Sequence, residues 1–426
     1  MNEFLINDTP VKIWAKVLDP IAYRQIYNLA ALPFVFHHLA FMPDVHAGVG
    51  MPIGGVLATK GVVVPNAVGV DIGCGMCAVK TNVRVEDITA EVLRKGIMRG
   101  VRKRIPLGMD RHKTAQDESL MPQGFDIDSM TIVKNQYKSA LKQIGTLGGG
   151  NHFIELQKDE YGWLWIMIHS GSRNLGKLVC DHYSGLAERL NAMWFSKTDP
   201  DNGLAFLPVK SDECGRYWNE MQYCMQFALA NRKLMMDRIC EVIKDVVPEA
   251  EFEPMINIAH NYAAWENHFG EDVIVHRKGA TRAGVGEIGI VPGSQGTKSY
   301  ITEGLGNPDS FLSCSHGAGR AMSRTEAVRT LSLEEEIAKL NVKGIVHAIR
   351  GPKDLEEAAS AYKDIDEVMA NQSDLTKIVT TLEPIAVIKG GGVEEMYLKY
   401  RNALEAKDPQ TYKSKNSLCD INGFKE

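Results

Sequence analysis

No stretch of this chain approaches the roughly 18 apolar residues of a membrane-spanning helix. The N-terminus MNEFLINDTPVKIW also lacks the basic stretch, apolar core and small-residue cleavage site of a secretory signal. The expectation is a cytoplasmic protein with no membrane partner. Eight cysteines, at positions 74, 77, 180, 214, 224, 240, 314 and 419, form no dense regular framework of the kind that staples small secreted domains, so they are read as reduced thiols. Positive charge is not in excess either. A formal net charge of −5 excludes a general coating of nucleic-acid affinity, which rests on many Lys and Arg contacts to phosphate, so any such contact has to come from a local basic patch. No repeat, low-complexity tract or Pro/Ser-rich linker divides the 426 residues, and one compact domain is the simplest reading.

Glycine is plentiful. Its 39 residues gather in short runs beside histidines, in MPDVHAGVGMPIGG, VGVDIGCGM, GTLGGGNHF, HSGSRNLG and SHGAGR, where backbone N–H groups can approach an anion closely. Apolar stretches of strand length lead into such runs: Val62 to Val64, Trp163 to Ile168 and Val273 to Val275. This places the polar chemistry at strand ends and loops. Helical periodicity is clearest from about Gly215 to Val246, with Tyr223, Phe227 and Leu234 at helical spacings, and again from Ser332, where SLEE is a capping box. The chain is therefore mixed α and β.

Asp71 and Cys74 stand three apart across a glycine-containing turn, close enough to reach one cation, although a buried Asp capping a turn beside a core cysteine fits the segment equally well. Cys77 completes a CxxC pair with Cys74, but no second CxxC follows to make a four-cysteine zinc site, and Gly73 and Gly75 suit a redox helix start poorly. His152, His169 and His260 occupy polar or glycine-rich settings. With Asp71 and Cys74 they make a set of carboxylate, thiolate and imidazole ligands for one or two divalent ions, for which ligand softness alone makes zinc a candidate. Gly171 to Lys177 begin like a P-loop, but Leu178 occupies the place of the Mg²⁺-binding Ser/Thr; Arg173 and Lys177 remain phosphate-contact candidates. The KxDG signature of lysine-nucleophile nucleotidyltransferases is absent. In SHGAGRAMSR, His316 precedes two glycines that leave room for a nucleotide, and Arg320 can pair bidentately with phosphate. His37, His38, His268 and His276 read as structural or surface histidines.

Taken in order, MPDVHAGVGMPIGG, GVDIGCGM, GTLGGGNHFIE, IHSGSR, HNYAAWENHFGE, RKGATRA, IVPGSQG, SCSHGAGRAMSR, AYKDIDEVMANQSDL and the IKG ending at Gly390 resemble the signatures of the RtcB family of RNA ligases. The resemblance implies an α+β fold, a single large domain over 1–390 with central mixed β-sheets and surrounding helices. Residues 391–426 then form a C-terminal extension of unknown role, partly helical in YLKYRNALEAK. It also implies two manganese ions, rather than zinc, on Asp71, Cys74, His152, His169 and His260, with His316 as the residue that becomes guanylated. Asn151, Glu155, Ser294, Ala318, Gly319, Tyr362 and Lys389 match guanine-nucleotide contacts; Arg173, Lys278 and Arg320 match phosphate- or RNA-handling positions. Asp44 and His46 lie in a motif near the metals. The implied activity is GTP-dependent joining of an RNA 3′-phosphate or 2′,3′-cyclic phosphate end to a 5′-hydroxyl end through a histidine–GMP intermediate and an RNA 3′-diphosphate-guanosine intermediate. An activating protein partner is compatible with this but leaves no mark in the sequence. The alternatives are a paralogue dedicated to repairing one cleaved rRNA or tRNA and, in another class, a metal-dependent phosphoesterase or a nucleotide-binding module without ligation. Ala259 stands before His260 where some members of the family carry a second histidine.

Overall fold

The computed structural model describes residues 1–390 except Lys197; the extension from 391 and the helix expected within it lie outside the described residues. Two sheets organise the chain. In the first, strands Asn2–Ile6, Thr9–Ile13, Val35–His46, Ile53–Thr59, Glu271–Lys278 and Asn261–His268 lie side by side in that order. In the second the order is Ile256–Ala259, Gly75–Arg84, Trp163–Ser170, Phe153–Asp159, Thr376–Lys389, Ser299–Gly304 and Ile288–Val291. Mixed sheets were expected, but only the first is mixed. Thr9–Ile13 runs parallel to Val35–His46, and the parallel return requires a crossover, supplied by helix Pro20–Ala30. Every pairing in the second sheet is antiparallel, so it needs no such crossover.

Helix Pro20–Ala30 starts where Asp19 accepts hydrogen bonds from the Ile21 and Ala22 amides and Pro20 presets the first turn. Helix Asp212–Val246 begins three residues earlier than the apolar periodicity alone suggested. Ser211 caps it through the Cys214 amide, and Asp212 and Glu213 complement its dipole. The anticipated Ser332 cap accepts the Glu335 amide and opens helix Leu333–Val342. Val62 to Val64 yield only the two-residue strand Val62–Val63, because Pro65 then starts a short helix, Pro65–Val68. No helix among the described residues is long and apolar enough to cross a membrane.

The long helix packs Tyr217, Met221, Cys224 and Phe227 into one core cluster and Met235, Met236, Ile239 and Val242 into the next, so a single element seats both. One buried carboxylate on it also starts a second helix. Helix Thr131–Ala140 has no side-chain cap of its own, and Glu220 accepts its free Ile132 and Val133 amides at 3.0 and 2.8 Å together with the Tyr183 hydroxyl. Glu220→Gln turns one acceptor oxygen into a donor facing these N–H groups. It is expected to cost about 1–3 kcal/mol, read as a lowered urea midpoint with an unchanged slope; a midpoint equal to wild type would show that the cap contributes nothing.

The two sheets meet where the chain passes from Ala259, the end of an edge strand of the second, to Asn261, the start of an edge strand of the first. The residue between them is His260.

Candidate metal and nucleotide site

The candidate ligands sit at strand ends. Cys74 precedes strand Gly75–Arg84, His152 precedes Phe153–Asp159, His169 is next to last in Trp163–Ser170, and His260 occupies the sheet junction, its amide donating to the Cys74 carbonyl at 2.8 Å. Their donor atoms converge. Cys74 Sγ lies 3.4 Å from His152 Nε2 and 3.2 Å from His169 Nε2, and His169 Nε2 lies 3.3 Å from His260 Nε2. Asp71 Oδ2 is 3.1 Å from His152 Nε2. Donors around a divalent ion at bond lengths of about 2.0–2.3 Å are separated by roughly 3.0–3.6 Å, so Cys74, His152 and His169, whose ligand atoms all lie within 4.8 Å of one another, fit a metal site, with Asp71 beside His152 and His260 beside His169.

Protonation suits coordination by the histidines. Burial and neighbouring imidazoles hold His169 and His260 well below the usual histidine range, so both rings are neutral. His169 Nδ1–H donates to the Asn151 carbonyl at 3.2 Å, which leaves the Nε2 lone pair facing Cys74. Burial, reinforced by the Asp71 charge, pushes the Cys74 thiol well up, so a cation has to displace its proton. Burial raises Asp71, but its bond to His152 and the charges of His152 and Arg173 more than offset this and hold it below its ordinary value.

Glycine makes this crowding sterically feasible. At Gly148, where φ is +98°, a Cβ would fall 2.2 Å from the Arg173 guanidinium and 2.3 Å from His152 Nδ1; at Gly150 it would fall 3.1 Å from Arg324. Arg173 itself holds a left-handed φ of 60°, rare for a side chain of its size. It donates to Thr146 Oγ1 and the Gly108 carbonyl at 2.9 and 2.8 Å.

His316 continues the row of rings. Centroids of His152 and His169, His169 and His260, and His260 and His316 are spaced 5.2, 5.1 and 4.8 Å apart. His316 Nδ1 is 2.7 Å from Asp44 Oδ2, which also accepts the His316 and Gly317 amides at 3.1 and 3.3 Å. Burial raises the fully buried Asp44, yet His316, then His46 and Lys363, hold it below its ordinary value, so it stands as a carboxylate. His46 donates Nδ1–H to the Asp44 carbonyl and, with burial lowering it to about 4, is neutral.

A second cluster adjoins. Lys389, at the end of its strand, pairs in register with Phe153, and Glu155 with Val387 two residues away. Burial pushes Glu155 up to about 8. Arg320 lies over the Tyr362 ring at 5.3 Å. Ala318 packs with Val291, Tyr300 and Tyr362, the Gly319 carbonyl accepts the Lys363 amide, and Ser294 Oγ bonds Thr297.

Not every candidate is placed with these groups. Lys278 turns its amine to the Val49 and Asn66 carbonyls, and burial lowers it to about 8. Lys177 is solvent-facing and pairs with Asp181. Cys77 is fully buried beside Val79 and Ile168, with burial raising its thiol to about 12; three residues along the chain from Cys74, it faces a different core. His38 and His276 are buried on backbone partners, as structural histidines are.

Several residues at the site were not singled out by sequence. Fully buried Arg232 donates to the Gly73 and Ser170 carbonyls at 2.9 and 2.8 Å, tying together the turn that carries Asp71 and Cys74 and the strand end that carries His169. Its neighbour Asn231 accepts the Gly145 and Thr146 amides and donates to the Gly171 carbonyl. The available signal was this polar pair at helical spacing from Ala228 and Met235, within a stripe that apart from Glu220 is mostly apolar. Glu357 and Arg324 carried no signal of their own.

A family model described as tRNA-splicing ligase RtcB matches residues 25–390. RNA-splicing ligase RtcB of Escherichia coli (strain K12) is 37% identical over 414 residues, covering 92% of this chain and 100% of that protein. RNA-splicing ligase RtcB homolog 1 of Entamoeba dispar is 34% identical over 444 residues, covering 87% of this chain and 82% of that protein. For tRNA-splicing ligase RtcB of Methanococcus maripaludis the identity is 33% over 445 residues, with 88% and 92% covered. A match running from the crossover helix to the end of the last strand, through the sheet junction on which the histidine row is built, places the chain in the RtcB family.

Proposed function

We propose that this chain is an RNA ligase that uses GTP and two manganese ions to join an RNA 3′-phosphate end to a 5′-hydroxyl end, with His316 carrying the guanylate. The observation that supports this most is the Asp44–His316 pair standing directly against the row of metal-ligand imidazoles. Asp44 accepts Nδ1–H, which fixes the tautomer and leaves the Nε2 lone pair as the nucleophile. In the first step Nε2 forms a bond to the α-phosphorus of GTP as the bond to pyrophosphate breaks. Guanylate next passes to an oxygen of the RNA 3′-phosphate, which breaks the N–P bond and frees the ring. The 5′-hydroxyl then attacks the activated RNA phosphorus, its proton is lost, and GMP leaves. A 2′,3′-cyclic phosphate end is first opened by water at the same site.

Asp71, Cys74, His152, His169 and His260 would hold the divalent ions, which when bound would neutralise charge on the transferring group. Arg173 and Arg320 add fixed positive charge, and Lys278 braces the loop through Val49 and the turn at Asn66. Asn151, Glu155, Ser294, Ala318, Gly319, Tyr362 and Lys389 receive the guanosine. With Glu155 raised to about 8, its carboxyl is largely protonated at neutral pH and is able to donate or accept a hydrogen bond at a base edge. Free thiols at all seven described cysteines suit the reducing cytoplasm.

Incubation with Mn²⁺ and GTP is expected to add one GMP to the intact mass, and His316→Ala to remove the adduct while retaining bound metal. A defined RNA pair bearing 3′-phosphate and 5′-hydroxyl ends should then be joined. A folded, metal-loaded protein that forms no adduct and joins no RNA would reduce the site to a phosphoesterase or a nucleotide-binding module.

A further inference from the structure

Glu357 is 6% exposed and stands among groups brought from distant parts of the chain. Its carboxylate lies 3.0 Å from Arg324 Nε, 3.5 Å from Arg320 and 3.6 Å from Lys389 Nζ, and it accepts the Tyr362 hydroxyl. Arg320 lies just beyond the strand Ser313–Ser315, Arg324 begins helix Arg324–Thr330, Tyr362 follows the turn Ala359–Ala361, and Lys389 ends strand Thr376–Lys389. The Glu357 carbonyl accepts Gln295 Nε2 at 2.8 Å, which attaches the Ser294 loop as well. Such a cluster is not a self-contained structural ion pair. Three cations meet one buried carboxylate, the part-buried Glu356 adds one negative charge near Arg324, and Glu155, raised to about 8 by burial, adds little at neutral pH. Positive charge is left over, and it points to an anion that the fold does not supply. Arg324, about half exposed, carries that charge to the mouth of the site above Gly150.

We propose that Glu357 is a positioning residue of the nucleotide pocket, holding Lys389 and Tyr362 where they meet the guanosine and Arg320 and Arg324 in the same pre-built wall, where surplus positive charge meets the phosphates of GTP. This rests on the GTP-dependent reading above. Without Glu357 the cations repel one another and their side chains have to be ordered by the nucleotide itself, which weakens binding more than it slows the chemical step. Lys389 also feels the loss directly. Burial lowers its ammonium, Glu357 and then Glu155 oppose that, and Arg320 adds to it. Removing Glu357 leaves Glu155 as the remaining opposing carboxylate among these groups, so Lys389 loses its proton at lower pH.

The test is steady-state joining of the defined RNA pair at varied GTP and saturating Mn²⁺ over about pH 6–10 for the full chain, Glu357→Gln and Arg324→Met, each checked for folding by circular dichroism. Glu357→Gln is expected to raise KM for GTP roughly tenfold, to leave kcat within about threefold, and to move the alkaline limb of kcat/KM to lower pH. Arg324→Met should raise KM by roughly threefold with the alkaline limb in place. A folded Glu357→Gln protein with wild-type KM and a superimposable pH profile overturns the proposal, as does one in which only kcat falls. If Glu357→Gln does not fold, Arg324→Met decides, and an unchanged KM for GTP there overturns it. Absence of any adduct on the wild-type chain sinks the ligase reading instead, and is distinguishable because no variant is involved.

Discussion

With His316 as the proposed guanylated residue, Asp44→Asn is expected to slow adduct formation by roughly 10²–10⁴-fold while leaving the protein folded and its metal affinity unchanged. The carboxylate is an acceptor for three N–H groups at once: His316 Nδ1 and the His316 and Gly317 amides. An asparagine oxygen can still serve the amides. That oxygen is a neutral and weaker acceptor for Nδ1–H, and the NH₂ takes the buried, unpartnered Oδ1 position, so the ring is held less firmly with its proton on Nδ1. Where the proton moves to Nε2, the lone pair needed to attack phosphorus is gone. The loss should appear in single-turnover adduct formation followed by intact mass, with Mn²⁺ affinity measured in parallel by calorimetry. Adduct formation at the wild-type rate would mean that Asp44 does not set the tautomer. A joint loss of adduct and metal would instead assign Asp44 to the architecture of the whole site.

The second large effect concerns a residue that touches no ligand. Arg232→Met removes the guanidinium that ties the Gly73 and Ser170 carbonyls, and it frees the Asn257 side chain bonded to Arg232 Nε at 2.7 Å. Two buried carbonyls lose a charged donor, at about 1–3 kcal/mol each, partly offset because a buried cation no longer has to be desolvated. A net loss of roughly 2–4 kcal/mol is expected in urea unfolding of the metal-free protein. More telling is metal affinity, which should fall about 10–100-fold because the turn bearing Asp71 and Cys74 is no longer fixed against the strand end bearing His169. Unchanged Mn²⁺ affinity in a folded Arg232→Met protein would confine Arg232 to stability.

These two residues differ in how they show in the sequence. Asp44 sits in a glycine-flanked motif beside His46, and both that motif and His316 drew attention in the sequence, but their pairing did not, since they are 272 positions apart. Arg232 lies in the middle of a 35-residue helix, where an arginine ordinarily reads as a solvated position. Helical spacing puts Asn231 and Arg232 on the face of Ala228 and Met235, but only the packing shows that this face is buried at their positions and that both reach across to the loops of the second sheet. Glu357 is a similar case, since its flanking residues LEEAAS look like any acidic turn until strands and helices from elsewhere bring their cations to it.

What the chain determines locally could be read directly: the ligand types, the histidine ahead of two glycines, the cap at Ser332, and the glycine runs that permit close approach. Residue identity and short spacing suffice for these because the causes act within a few residues. The tertiary structure decided which of the histidines form a row, that Cys77 belongs to a core and Cys74 to the site, that Lys278 turns to backbone carbonyls, and that one sheet is mixed while the other is wholly antiparallel. Those outcomes depend on distances between segments far apart in sequence, which are set by how the two sheets and the long helix bury their apolar faces together. His260 shows the division most plainly: its chemistry belongs to the residue, but its place between the sheets is a property of the assembled fold.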